Sequence, residues 1–153
     1  MTGESTPEGV LAELLARFPG TVPVEAWGET SLFYNPGGRL PRGVYFATVK
    51  QKDGANDRAS QLDREGVWRL NLGTTRPLFE AMFGPPPKRP AKGQAVAGPW
   101  DFTQLDRPTP HPVYGWMSWV SVLNPSRGTL ASLDAMTVAA FDKARAAFDR
   151  KVA

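Results

Sequence analysis

Apolar residues recur along this chain with two periods, and the switches between them predict its elements. Val10, Leu11, Leu14, Leu15 and Phe18 share one face at helical spacing. Before them, Thr6-Pro7-Glu8 offers a capping hydroxyl, a proline in the first turn and an acid at the positive end of the helix dipole. Pro19-Gly20 ends the run, so a helix is predicted over 6–20, with residues 1–5 as a tail. Strand-like residues follow in 24–34, at Trp27, Leu32, Phe33 and Tyr34, and Asn35-Pro36-Gly37-Gly38 is a turn signal. The return strand is Val44 to Val49.

Asn56 to Glu65 is polar, with Ala59 and Leu62 as its inward residues. From Val67 to Leu72 the period is two: Trp68, Leu70 and Leu72 fall on one face, Val67, Arg69 and Asn71 on the other. Gly73 stops that strand, and Leu78, Phe79, Met82 and Phe83 mark a short helix terminated by Gly84. Residues 85–99 hold three consecutive prolines, three basic residues and no large side chain except Val96, which reads as an exposed polyproline-like insertion. The stretch 111–125, HPVYGWMSWVSVLNP, reads as a central strand because prolines and Gly115 forbid helix before it and Asn124-Pro125 closes it. A last helix over 129–150 presents Leu130, Leu133, Thr137, Phe141, Ala144 and Phe148 on one face. This order predicts one α+β domain over 1–153, an antiparallel or mixed sheet of about four to five strands with the N- and C-terminal helices on one face.

Composition narrows the class. At 153 residues, 41% hydrophobic and 22% charged, the chain can bury one core and is not disordered. The absence of cysteine removes disulfides, thiolate metal sites and cysteine nucleophiles, and fits a cytoplasmic location. No basic region followed by an apolar core opens the chain, and no run of 18 apolar residues would span a membrane. The net charge of +3 is a small basic surplus.

Candidate chemistry is sparse. His111, the single histidine, is flanked by Pro110 and Pro112, and its plainer role is to set the entry angle of the strand. A metal site would need Asp63, Asp101 and Asp106 around it, and no spacing supports that. Asp63-Arg64 and Asp106-Arg107 could pair as acid and base only if their loops converge; ties to loop amides are the simpler expectation. No G-x-S-x-G, G-x-G-x-x-G or G-K-[ST] motif occurs. No catalytic constellation is assembled, so the chain reads as a non-enzyme ahead of an enzyme, which stays open, with no cofactor, metal or catalytic residue assigned. Asn71 beside Arg69 is the exception to the apolar pattern: a polar pair in mid-strand implies a wet face or a pocket.

The residues Trp27-Gly28, Phe33-Tyr34, Leu62-Asp63-Arg64, Arg69 to Gly73, His111 to Tyr114 and Trp119 to Pro125 resemble those of a family of short bacterial proteins of unknown function, itself similar to the YjbR/MmcQ-like group. That resemblance implies the group's sheet with helices on one face, and its DNA-binding label, which rests on shape. Three kinds of partner fit the sequence. DNA would meet Arg39 and Arg42 in one hairpin loop and Lys50, Lys52 and Arg58 after its return strand, helped by Lys88, Arg89 and Lys92, although Asp53, Asp57 and Asp63 interleave with them. This predicts a continuous positive surface over loops 35–43 and 50–58. A small molecule or peptide would enter a concave site on the sheet face away from the helices, lined by Arg69, Asn71, His111, Tyr114 and Trp116. A protein partner would need an exposed apolar patch.

Overall fold

The computed structural model describes residues 4–153. Of the expected tail, residues 1–3 lie outside the described residues, while the Ser5 hydroxyl donates to the carbonyl of Pro125. Helix α1 spans Pro7–Arg17, with Thr6 as its cap: the side-chain oxygen accepts from the Gly9 amide at 3.0 Å. Phe18 follows it into the core and stacks on Phe141, ring centroids 4.5 Å apart.

Six strands form one antiparallel sheet in the order β1-β2-β3-β4-β6-β5. Strands β1 (Thr21–Ala26), β2 (Glu29–Tyr34), β3 (Val44–Lys50) and β4 (Arg69–Gly73) make a meander. After α2 (Arg76–Phe83), the two-residue β5 (Thr109–Pro110) and β6 (Trp119–Leu123) complete it. Helices α3 (Arg127–Ser132) and α4 (Asp134–Val152) close the chain. The four helices and six strands are α+β, with more strands than the sequence pattern implies.

The differences have local causes. The run 24–34 is the greater part of a hairpin rather than one strand, because Trp27 and Gly28 both take positive φ, 51° and 78°, and turn the chain in two residues. The stretch 111–125 is a strand only from Trp119 to Leu123. His111 to Ser118 is a turn with a 3-10 segment at Gly115–Met117, and left-handed Ser118 (φ 67°) realigns the chain before β6. Its aromatic residues carry the strand signal, but Gly115 in its middle breaks it. The strand is also one from the edge, flanked by the short β5. The helix expected over 129–150 is two, broken at Leu133.

Alternation sends Leu70, Leu72, Val120 and Val122 to one face, where they pack with Val10, Leu14, Phe79, Met136 and Ala144 in the main core. A register shift in the β2–β3 pairing turns Phe46 to this side as well, edge-on to Phe141 at 5.4 Å, and leaves Tyr45 on the other face beside Phe33 and Trp119. The opposite face of β3, β4 and β6 carries Thr48, Lys50, Arg69, Asn71 and Ser121, all buried. Among the described residues no α-helix covers them. The 51–68 loop and the segment between α2 and β6 do so, with a small second core of Leu62, Val67 and Leu123. Segment 85–99 has no regular structure but is anchored rather than loose, for Val96 is buried and its amide donates to the Pro112 carbonyl at 2.8 Å.

Beyond this cover, edge strand β1 exposes Val22 and Val24, and Pro23 removes a donor from the middle of the edge, which disfavours pairing with another strand. Trp27 at the hairpin tip is 93% exposed and holds a left-handed backbone that favours Asn or Gly. Replacing it should relieve strain without losing any packing. Trp27→Asn is expected to raise stability by about 0.5–1 kcal/mol, read as a higher urea midpoint with an unchanged slope.

Candidate functional site

The polar face is built around Arg69, the first residue of β4, whose guanidinium is completely buried. A buried charge must be paired and all its donors used. Nε donates to Asn71 Oδ1 at 2.8 Å; Nη1 donates to Asp57 Oδ1 and Ser60 Oγ, each at 3.0 Å; Nη2 donates to Asp57 Oδ2. The fork on Asp57 is bidentate, the geometry in which an arginine–carboxylate pair is strongest. Asn71 in turn donates to Thr48 Oγ1 at 2.9 Å and accepts from Ser121 Oγ at 2.6 Å, so its side chain ties β3, β4 and β6 together. Lys50, in the next strand, is buried and faces Glu29 at 3.6 Å.

His111 borders this network from the other side, as a neighbour of Arg69 and not as its acceptor. Its Nδ1 accepts from the backbone amides of Val113 and Tyr114, both at 3.0 Å, which places the proton of the neutral ring on Nε2. Nε2 lies 3.4 Å from Nη2 of Arg69. Burial first, and then the Arg69 charge, push its pKa well below the ordinary value; Asp57 opposes and Lys50 adds to the push. Burial works against ionising Asp57, but its hydrogen bonds to Arg69 and the Arg69 charge outweigh that and hold the carboxyl below its usual range. The resting state is thus Arg69 cation, Asp57 anion and neutral His111.

Arg69, Asn71 and His111 do converge, but in a closed layer and not around an open cavity. The concavity lies above them. The 56–59 loop, residues 89–95 and the 112–116 turn wall a groove made of two adjoining cavities of about 240 and 300 Å³, which share Asn56, Gly93, Gln94 and Val113. Of the expected pocket residues, Tyr114 and Trp116 line it. Arg58, Arg89 and Lys92 stand around it, all exposed and without an ion pair among the described residues, and Arg89 lies over the Trp116 ring at 4.9 Å. Its one acid, Asp57, is already neutralised by Arg69. Larger depressions occur beside α2, at Met82, Phe83, Trp100 and Arg107 (about 690 Å³), and beside Lys52, Arg64 and Trp68 (about 550 Å³). The first carries one cation, and the second sets Asp63 beside its cations, so neither matches the groove in unbalanced charge.

The residues expected to meet DNA are dispersed. Arg39 reaches the carbonyl of Val152 at 3.4 Å, at one end of β3, and Lys52 packs along Gly28 at the other. A seven-residue strand separates these loops by roughly 20 Å. Arg42 belongs to the first loop and Arg58 to the groove, while Lys50 is sequestered with Glu29. The aspartates considered for acid–base work serve as loop ties: Asp63 accepts from the Asp53 amide at 3.0 Å and Asp106 from the Ser126 amide at 2.7 Å. No group of three His, Cys, Asp or Glu among the described residues could hold a metal, and none of their helices is long and apolar enough to cross a membrane.

Sequence reasoning missed Asp57 and Ser60 as partners of Arg69, and Asn56 and Gln94 as groove walls. A signal for Asp57 was present. An arginine within an otherwise buried strand requires a carboxylate, and the polar 51–66 loop is where the nearby acids lie.

Fold and groove together define an α+β module whose open antiparallel sheet carries helices on one face and a loop-walled, cationic and aromatic groove on the other. The chain belongs to DUF6194, a family of unknown function whose model matches residues 5–153. No curated protein and no solved structure matches it.

His111 contributes one component to the pH dependence of folding. In the unfolded chain its ring takes up a proton near pH 6.5, whereas the folded ring does so only at much lower pH. The unfolded state therefore binds more protons in that window, and its stabilising contribution is complete above pH 6.5 and lost as pH falls toward the folded pKa. Denaturant titrations should show stability dropping by as much as about 1.4 kcal/mol per pH unit below that point. In His111→Asn, that component of the slope should disappear.

Proposed function

We propose that the protein is a binding module for a small anionic molecule with a flat ring, taken up in the groove between the 56–59, 89–95 and 112–116 segments. The observation that carries this reading is charge balance: Arg58, Arg89 and Lys92 surround one concavity, and the only carboxylate lining it among the described residues, Asp57, is committed to Arg69. Cations around low-dielectric walls raise the local concentration of an anion. Tyr114, 44% exposed, offers a face for stacking, and Trp116 holds Arg89 in place through its ring. Asn56 and Gln94 supply amides for the polar edge of a ring.

The volume supports a ligand of small-molecule size, at the lower end of the usual pocket range of about 300–1,000 Å³. A binding role draws more support than catalysis, since the lining brings together no nucleophile with a base. The DNA-binding reading that comes with the YjbR/MmcQ resemblance draws less, because its cations stand at opposite ends of β3 and Lys50 is buried.

Naphthalene-2-sulfonate has the required ring and a charge that does not titrate near neutrality. Calorimetry at low salt should show it binding in the micromolar range, with the neutral analogue 2-naphthalenemethanol much weaker. Arg58→Glu combined with Lys92→Glu should weaken the sulfonate by about 100-fold, near 1.4 kcal/mol for each reversed charge. Equal affinity for the two probes, or no effect of the double reversal, would remove the electrostatic basis of the reading.

A further inference from the structure

We infer that His111 is an acid-sensitive latch on this groove: the neutral ring holds the 112–116 wall against the sheet, and protonation releases the wall and the anion with it. The inference rests on the groove being the binding site.

The latch is visible in the hydrogen bonds. Nδ1 accepts from two successive amides, Val113 and Tyr114, at 3.0 Å each, so one ring nitrogen adds the side-chain tie to a wall otherwise held by backbone bonds such as Val96 to Pro112 and Gly115 to His111. A protonated imidazole carries hydrogen on both nitrogens and accepts nothing. Both amides would then face a donor. Little around the ring compensates. From β4, Arg69 Nη2 is 3.4 Å from Nε2 and positively charged. From β3, Lys50 adds a second positive charge, partly answered by Glu29 of β2. From the 51–68 loop, Asp57 is the one group that favours a charged ring, and both its oxygens are held by Arg69. From its own turn, Tyr114 offers only its ring, 5.0 Å away, and Trp119 of β6 likewise lies edge-on at 6.3 Å.

A charged ring is thus stable only in water. To reach water it must leave a site where it is 3% exposed. The opposite wall does not depend on it, because Asp57 and Ser60 tie the 56–60 stretch to Arg69 directly. Acid therefore loosens the wall carrying both aromatic residues, and with it the 89–95 wall that is pinned to Pro112 and Trp116, and leaves the 56–60 wall in place.

Amide hydrogen exchange reads the latch without a ligand. Once the wall opens, the ring titrates at its ordinary value near 6.5. Opening should then become about 30-fold easier at roughly pH 5.0 than at roughly pH 7.5. After correction for intrinsic exchange, protection of the Val113 and Tyr114 amides is expected to fall by that factor while staying below the protection of Leu72 in β4. In His111→Asn the side-chain oxygen can accept from the same two amides and cannot titrate, so the drop should vanish. Unchanged wild-type protection, the same drop in His111→Asn, or exchange of both amides only at the level of Leu72 would overturn the latch. Calorimetry with naphthalene-2-sulfonate separates the two claims. Weaker binding in acid for the wild type but not for His111→Asn supports the latch; equal binding at both pH values overturns it and leaves the groove standing; no binding at pH 7.5 overturns the groove.

Discussion

A guanidinium with no exposure to water sits in the fourth strand of this sheet, and the architecture of one whole face follows from keeping it compensated. Arg69 needs a carboxylate, and the carboxylate has to come from a loop, because its strand neighbours on that face are Lys50 and Leu123. The 51–68 loop supplies Asp57 and is thereby pulled across the sheet, bringing Ser60 to the guanidinium. Leaving such a cation unpaired costs about 3–5 kcal/mol, a large part of the 5–15 kcal/mol that ordinarily separates folded from unfolded chains. The helical face has no comparable constraint. It is held by area: Phe18, Phe46 and Phe141 meet there, and alternative apolar residues of similar volume would serve.

The same layer that satisfies Arg69 positions the groove. Asp57 and Ser60 fix one wall through Arg69, and His111 ties another through two backbone amides. The third wall, from the proline-rich segment, is pinned by Val96 and by the contact of Arg89 with Trp116. Buried polar residues thus hold loops that would otherwise have little to order them, since those loops carry few large apolar side chains. An apolar layer could stabilise the sheet equally well, but it would not set the walls at these positions.

Periodic segments were legible in the sequence. The alternation from Trp68 to Leu72, the stripe along α1 and the stripe from Leu133 to Phe148 all fall where the pattern places them, because each buries one face against a large core. What the sequence hid depends on backbone conformation or on contacts distant in the chain. Trp27 in a left-handed turn conceals a hairpin, since tryptophan is itself a strand signal. The aromatic residues at 114–116 conceal a turn for the same reason. Arg69, Asn71 and His111 could be grouped as polar intruders on an apolar pattern, yet whether they line a cavity or lie beneath one depends on where the 51–68 loop lands. Val96 was visible as the lone large residue of its segment, and a lone apolar residue in a proline-rich stretch reads as loop until its contacts are known.

Ligand binding is assigned to one place on this surface, the groove beside Tyr114 and Trp116. Nuclear magnetic resonance of the labelled protein titrated with naphthalene-2-sulfonate at neutral pH tests that most directly. Saturable shifts confined to Arg58, Arg89, Gln94, Tyr114 and Trp116, with the 35–43 loop and Lys52 unmoved, are the predicted result. Shifts centred on the 35–43 loop, or beside α2 at Phe83 and Trp100, would contradict it, as would a spectrum that does not change.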